Sequence, residues 1–186
     1  MKINLIIDGN YILNKNVFPL HKSKMLYGLL HEVMHNSIKK FAKLYHFDNV
    51  FFVSDCFGSW RKELFPDYKG NRKKSEDIDW EFIMTAYDEI KTDLPKNIKV
   101  LEKAKIEGDD WIYQIVKRGN EKGYSNLVIS GDYDMKQLLY TEITPESSFI
   151  NIMSNEKFNS EIVFVPENFE VYINHLKKKL NTNDLF

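Results

Sequence analysis

Residues 127–134 read LVISGDYD, an apolar run that ends in Asp132 and Asp134. The same ending recurs three times. LIID ends in Asp8, FFVSD ends in Asp55, and after IKVL a short linker brings EGDD, with Glu107, Asp109 and Asp110. If the four runs are parallel strands, their carboxyl ends point the same way and these acids converge on one edge. Crowded carboxylates repel one another unless positive charge sits among them. Hard divalent cations answer that need, because Mg²⁺ takes oxygen ligands, keeps several waters and needs few carboxylates per ion. Two such ions, Mg²⁺ or Mn²⁺, would activate a water and stabilise the leaving oxygen of a phosphodiester, with no side-chain base required. Glu107 and Asp110 share one face of a helix starting near Glu107, whereas Asp109 projects differently. Each acid alone has a plainer reading as a helix cap, a turn residue or a complement to a helix dipole. Repetition over four separate runs favours a site.

A second constellation follows directly on Asp55. Within 61–74 the cations Arg61, Lys62, Lys69, Arg72, Lys73 and Lys74 outnumber the acids Glu63 and Asp67, and Trp60, Phe65 and Tyr68 are interleaved with them. Cations bind phosphates and aromatic faces stack on unpaired bases. A charge run is ordinarily a solvated loop, but one placed over an acidic cluster reads as a nucleic-acid clamp.

The elements that must position these groups alternate. Short apolar runs at 3–7, 50–53, 98–101, 127–130, 149–152 and 162–165 suit strands buried on both faces. Helical patterns are expected at about 23–46, 78–93, 108–122, 134–140 and 167–180, the first with Leu26, Leu29, Leu30, Val33, Ser37, Phe41 and Leu44 along one face. Alternation of this kind predicts an α/β fold in three layers, a mostly parallel twisted sheet with helices on both faces. Sites in such sheets form beyond the carboxyl ends of the strands. The polar, basic and aromatic segment 56–77 breaks the rhythm and is long for a connection, as functional loops often are.

The totals exclude some classes. With 26 Lys+Arg against 27 Asp+Glu, the chain is not basic all over, so any nucleic-acid face must be local. One cysteine, Cys56, excludes an internal disulfide and suits a reducing compartment. The start MKINLIIDGN is too short in apolar residues for a signal peptide and no stretch approaches a membrane span, so a cytoplasmic protein is expected, in the host cytoplasm if viral. HEVMH at 31–35 matches the zinc-protease pattern, but the two histidines lie off the apolar face and no third ligand is recognisable.

Taken in order, IIDGNYIL, FVSD, RKELFPDYKGNR, EGDDWIYQIV and ISGDYDMKQL resemble the metal-dependent 5′-nucleases. These are the phage 5′→3′ exonucleases and flap endonucleases, T-even phage ribonuclease H among them, within the wider PIN-like fold. The resemblance covers roughly residues 3–140. It implies a nuclease that hydrolyses phosphodiester bonds near 5′ ends or flaps of DNA or RNA–DNA in replication or repair, by two-metal-ion catalysis. By position, Asp8, Asp55, Glu107, Asp109 and Asp132 resemble ligands of the tighter metal cluster. Asp134 resembles a ligand of the second metal region, and Asp110 matches an acid of the motif. Lys69 and Arg72 resemble the cations that meet the scissile phosphate, and Tyr68 the residue that stacks on a terminal base. Segment 56–77 resembles the helical arch of that family.

Under this reading residues 1–165 form the nuclease core, and 166–186 form a helix that begins a helix–three-turn–helix module. NFEVYINHLKKKLNTNDLF looks like the approach to that module, but no GDxxDN-like stretch follows. Weaker duplex binding, an incomplete second metal site and a partner polypeptide supplying the module are the corresponding expectations. Two other readings stand beside the nuclease. One is a non-cleaving or partner-dependent module for branched or single-stranded DNA. The other is a PIN-type ribonuclease, a class whose chains are usually shorter and lack the DYKGNR arch.

Overall fold

The computed structural model describes residues 2–43, 46–72, 75–132, 134, 135 and 138, and the backbone of 147–151. Among the described residues five strands form one sheet: β1 (Lys2–Asp8), β2 (Asn49–Val53), β3 (Ile98–Leu101), β4 (Tyr124–Ser130) and β5 (Ser147–Asn151). Their order is β3-β2-β1-β4-β5, and every pairing is parallel. The chain therefore moves outward from β1 through β2 to β3, then returns to the other side of β1 for β4. That reversal makes a topological switch point at the carboxyl ends of β1 and β4, where α/β sheets open a crevice.

Reversal of strand order, with the right-handed crossovers that parallel pairs favour, leads to two helical layers. Helices α1 (Gly9–Lys22), α2 (Leu26–Lys43) and α4 (Trp80–Thr92) share one core with Leu5, Ile7, Phe52 and Ile129. Helix α5 (Gly108–Glu121) covers the opposite face, where Ile112 and Val116 meet Ile6, Val53 and Val128. The three-layer α/β architecture is as expected, and β3 has the predicted bounds. Met135 and Leu138, from the predicted 134–140 helix, are buried in the α5-side core. The run at 162–165, the helix at 167–180 and the 166–186 module lie outside the described residues.

One expectation needs correction. The single helix predicted over about 23–46 is α2 alone over 26–43, and a separate helix, α1, precedes it. The break is a tight turn at Ser23–Met25, with Lys24 at φ 59°. On α2 the buried stripe is Leu26, Leu30, Met34, Ile38 and Phe41; Leu29, Val33 and Ser37 are only half-buried, and Leu44 lies outside the described residues.

Buried polar side chains help to set the register. Asn4 pairs with Asn49 on one side and Asn126 on the other, and their amides bond across the sheet at 3.0 and 2.9 Å. A slip of one residue would send Asn4 to the opposite face of the sheet.

A candidate active site at the carboxyl ends of the strands

Asp8 ends β1 and caps α1: Tyr11 N donates to Oδ1 at 3.0 Å. The cap reading of this acid is thus realised. Ser130, the last residue of β4, donates its hydroxyl to Asp8 Oδ2 at 2.6 Å and accepts from Asp132 N at 3.1 Å. Through that one hydroxyl the β4 turn is fastened to β1. Gly9 makes the entry to α1 possible, because a Cβ there would lie 2.3 Å from the Tyr87 hydroxyl and 2.6 Å from the Phe52 ring.

Asp55, two residues past β2, accepts at Oδ1 from Gly108 N at 2.6 Å, and its own N–H donates to Asn10 Oδ1 at 3.3 Å. The first N–H of α5 thus meets an acid of the β2 turn, a favourable place for negative charge. Asp109, on the next residue of α5, completes the group. Its carboxyl is pushed up to about 7, first by burial and then by the charges of Asp8, Asp132 and Asp55, with Lys69 opposing. Burial likewise raises Asp8, with Asp55 and Asp132 adding to the effect against the bonds from Ser130 and Tyr11. Four acids from three strand ends and one helix start are therefore electrostatically coupled. Asp134 is exposed beside them, its N–H donating to Asp132 Oδ1 at 2.9 Å.

Glu107 is the N-cap of α5 rather than a residue on its face, with Asp110 in the first turn, and both meet the basic loop. Arg61 Nη1 donates to Glu107 Oε2 at 2.6 Å and to Asp110 Oδ2 at 3.0 Å, while Nη2 donates to Asp110 Oδ1 at 2.8 Å. Lys69 Nζ lies 2.6 Å from Glu107 Oε1, and Tyr68 donates its hydroxyl to Glu107 Oε2 at 3.1 Å. Asp110 also accepts from Trp60 Nε1 at 3.0 Å and from Glu107 N at 3.1 Å. These bonds hold the Asp110 carboxyl below the ordinary carboxylate range despite partial burial.

Lys69 has φ 57°, a left-handed backbone that a residue with a side chain adopts at a cost. The loop contains a short helix, α3 (Arg61–Leu64), and its root is joined to the β3–α5 connection by Trp60 N to Lys105 O and Lys105 N to Phe57 O, both 2.9 Å. Lys62 and Arg72 are exposed, and Lys73 and Lys74 lie outside the described residues. Tyr68, expected to stack on a base, is half-buried with Arg61 and Lys69 over its ring at 5.9 and 5.1 Å.

Sequence reasoning passed over three positioning groups: Ser130, Asn10 and the double pairing of Arg61. The first two sit inside the SGD and DGN turns, where a polar residue beside a strand-end acid was the available signal. Beside Asp55 opens a cleft of about 790 Å³ lined by Asn10, Cys56, Phe57, Trp80 and Tyr87 among others.

Residues 4–169 match the family model described as 5′-3′ exonuclease, N-terminal resolvase-like domain, and the chain belongs to that family. Among curated relatives, the 5′-3′ exonuclease of Mycoplasmopsis pulmonis is 28% identical over 166 residues, covering 88% of this chain and 54% of that protein. Ribonuclease H of Enterobacteria phage T4 is 32% identical over 133 residues, covering 65% of this chain and 43% of that protein. The chain thus spans about half the length of these relatives or less. The bacteriophage T5 D15 protein, crystallised with metal ions, superposes with a TM-score of 0.66 at 19% identity, over 92% of this chain and 61% of that one. The T5 D15 flap endonuclease was also solved as a pseudo-enzyme–product complex with DNA and metal ions (TM-score 0.63, 21% identity, 85% of this chain and 58% of that one). At these identities the likeness to the T5 structures is one of fold.

Proposed function

We propose that this chain is the catalytic core of a divalent-metal-dependent 5′-nuclease that hydrolyses phosphodiester bonds near 5′ ends or flaps of DNA. The observation that carries the reading is the convergence of Asp8, Asp55 and Asp132 from three parallel strand ends on the start of α5, where Ser130 bonds both Asp8 and Asp132 and Gly108 N bonds Asp55 next to Asp109. A family enzyme gains nothing from so much uncompensated charge unless a cation neutralises it. The donors are all hard carboxylate oxygens, which fits Mg²⁺ or Mn²⁺. Asp8, Asp55, Asp109 and Asp132 would hold such an ion, Glu107 would join once Lys69 and Arg61 release it, and Asp134 stands near enough to serve a second. When bound, the metal supplies Lewis acidity and an ionised water at neutral pH.

The remaining work belongs to the chain. Ser130 and the N-cap bond from Tyr11 fix the Asp8 carboxylate, and Gly108 N fixes Asp55. Lys69, once released from Glu107, and the exposed Arg72 would engage phosphate oxygens of a bound strand. Aromatic side chains of the cleft beside Asp55 offer faces to unpaired bases. A lone cysteine suits work in a reducing cytoplasm, and among the described residues no helix is long and apolar enough to cross a membrane. Labelled 5′-flap DNA incubated with the purified chain tests the proposal. Product is expected in Mg²⁺, none in EDTA, and none from Asp132→Asn although that variant folds and binds. Cleavage by Asp132→Asn at the native rate would overturn the site, and binding without cleavage by the native chain would favour the non-cleaving module.

A further inference from the structure

The histidine pair that lacks a third ligand in the sequence has one in the fold. His31 and His35 lie one turn apart on α2, their ring centroids separated by 4.6 Å. Helix α4 packs on α2, and its C-cap residue Asp93 brings Oδ2 to 3.4 Å from His31 Nε2. Each of the three side chains offers a ligand atom, and these atoms lie within 4.8 Å of one another.

Three features distinguish this group from a simple surface ion pair. His35 Nδ1 is shielded from solvent and has no hydrogen-bond partner. A buried nitrogen left without a partner is costly. Burial, aided by His31 and Lys39, also lowers the His35 pKa against the pull of Asp93, which favours the neutral ring with a lone pair to give. Finally, Asp93 closes the C-terminal end of α4, where the helix dipole attracts a cation.

We propose that His31, His35 and Asp93 form a site for one borderline divalent transition-metal ion, zinc foremost, with water completing the coordination. Two imidazoles and a carboxylate suit Zn²⁺ or Co²⁺, whereas Mg²⁺ prefers oxygen throughout. The half-exposed His31 and Asp93 leave the ion a path from solvent, with side-chain exposures of 45% and 61%. Asp93 leads into the start of β3, so the site lies at the sheet edge opposite Asp8, Asp55 and Asp132. An ion there links α2 to α4 across the outer helical layer, a structural staple distinct from the strand-end acids.

The test titrates Zn²⁺ into the full chain in excess Mg²⁺, which occupies hard-oxygen sites, and follows bound zinc by equilibrium dialysis together with the melting temperature. The native chain is expected to bind one zinc and melt higher. His35→Gln and Asp93→Asn should each lower that affinity at least ~100-fold, since outer-shell partners alone are worth ~10–100-fold, and should lose the zinc-dependent rise. Co²⁺ gives a second readout, as visible d–d absorption present in the native chain and absent in the variants. Zinc uptake unchanged in both variants, or no uptake by the native chain, would overturn the site. Should His35→Gln fail to fold, the exposed Asp93→Asn carries the same measurement.

Discussion

Glu107 and Asp110 receive charged donors from Arg61 and Lys69, whereas the donors to Asp8, Asp55 and Asp132 among the described residues are neutral: Ser130 Oγ and the N–H groups of Tyr11, Gly108 and Asp134. One acidic edge thus contains two regions with different electrostatics. In the first, the loop after β2 supplies counter-charge through Arg61 and Lys69. In the second, hydrogen bonds fix orientation and leave the charge itself unmet. Orientation without neutralisation is what a site for an external cation requires, since a resident Lys or Arg would compete with it. Under the proposed function Lys69 would have a double part, because the cation that pairs with Glu107 is also one of the two proposed to meet a substrate phosphate.

Neutralising one acid in the unmet region should have the largest effect on activity. Asp132→Asn is expected to lower flap cleavage by ~10²–10³-fold or more, the scale on which a single group that stabilises developing charge acts. Its urea midpoint should stay level or rise, because a repelling charge has gone. A variant that lost activity and stability together would erase the distinction between the two regions.

The paired region should respond in the opposite sense. Arg61→Ala removes the bidentate partner of Asp110 and a bond to the almost fully buried Glu107. Charged hydrogen bonds of this kind are worth ~1.5–3 kcal/mol each, and an abandoned buried acid adds to the loss. A destabilisation of about 2–3 kcal/mol in urea unfolding is expected. An Arg61→Ala chain as stable as the native one would show that these bonds contribute nothing net.

Metal removal and pH sharpen the contrast further. Asp109 is raised from the ordinary 3.8 to about 7, so between those values the folded chain binds more protons than the unfolded one. Stability from this group therefore falls as pH rises through that window. In EDTA the melting temperature should decline from pH 5 to pH 8. Mg²⁺ should flatten the decline by binding the ionised form, and Asp109→Asn should lessen it, the raised Asp8 remaining. A metal-free melting temperature that climbed over this window would contradict the crowding of Asp109 by Asp8, Asp132 and Asp55.

Much of this arrangement is legible in the sequence, and unevenly so. Apolar runs broken by Asp8, Asp55 and Asp132 expose both the strands and their ends, because continuous apolarity and a sudden charge are local signals. Helix α1 is hidden by its own composition. Asn10, Asn14 and Asn16 dilute its apolar pattern, and Pro19 sits inside the helix. The inward turn of Arg61, Tyr68 and Lys69 is equally unreadable, since a basic run carries no mark of which cations pair across about 40 residues of intervening chain. Asp93 joins His31 and His35 only through the packing of α2 on α4, a tertiary fact with no sequence period.

Arg61 and Lys62 offer the finest form of the comparison, as neighbours in the chain with opposite placements. Arg61 is turned onto Glu107 and Asp110, while Lys62 is exposed. Lys62→Ala should leave unfolding within ±0.5 kcal/mol, as surface changes away from special features do. If the arch meets a single strand, that variant should also reduce the slope of log K against log salt for single-stranded DNA by ~0.7, the contribution of one released counterion. Both measurements are made on one variant, and they separate its roles. A slope unchanged with stability intact would place the strand away from this side of the arch. A loss of stability would mean that Lys62 is part of the paired region after all, and that the boundary between the two lies further along the loop than Arg61.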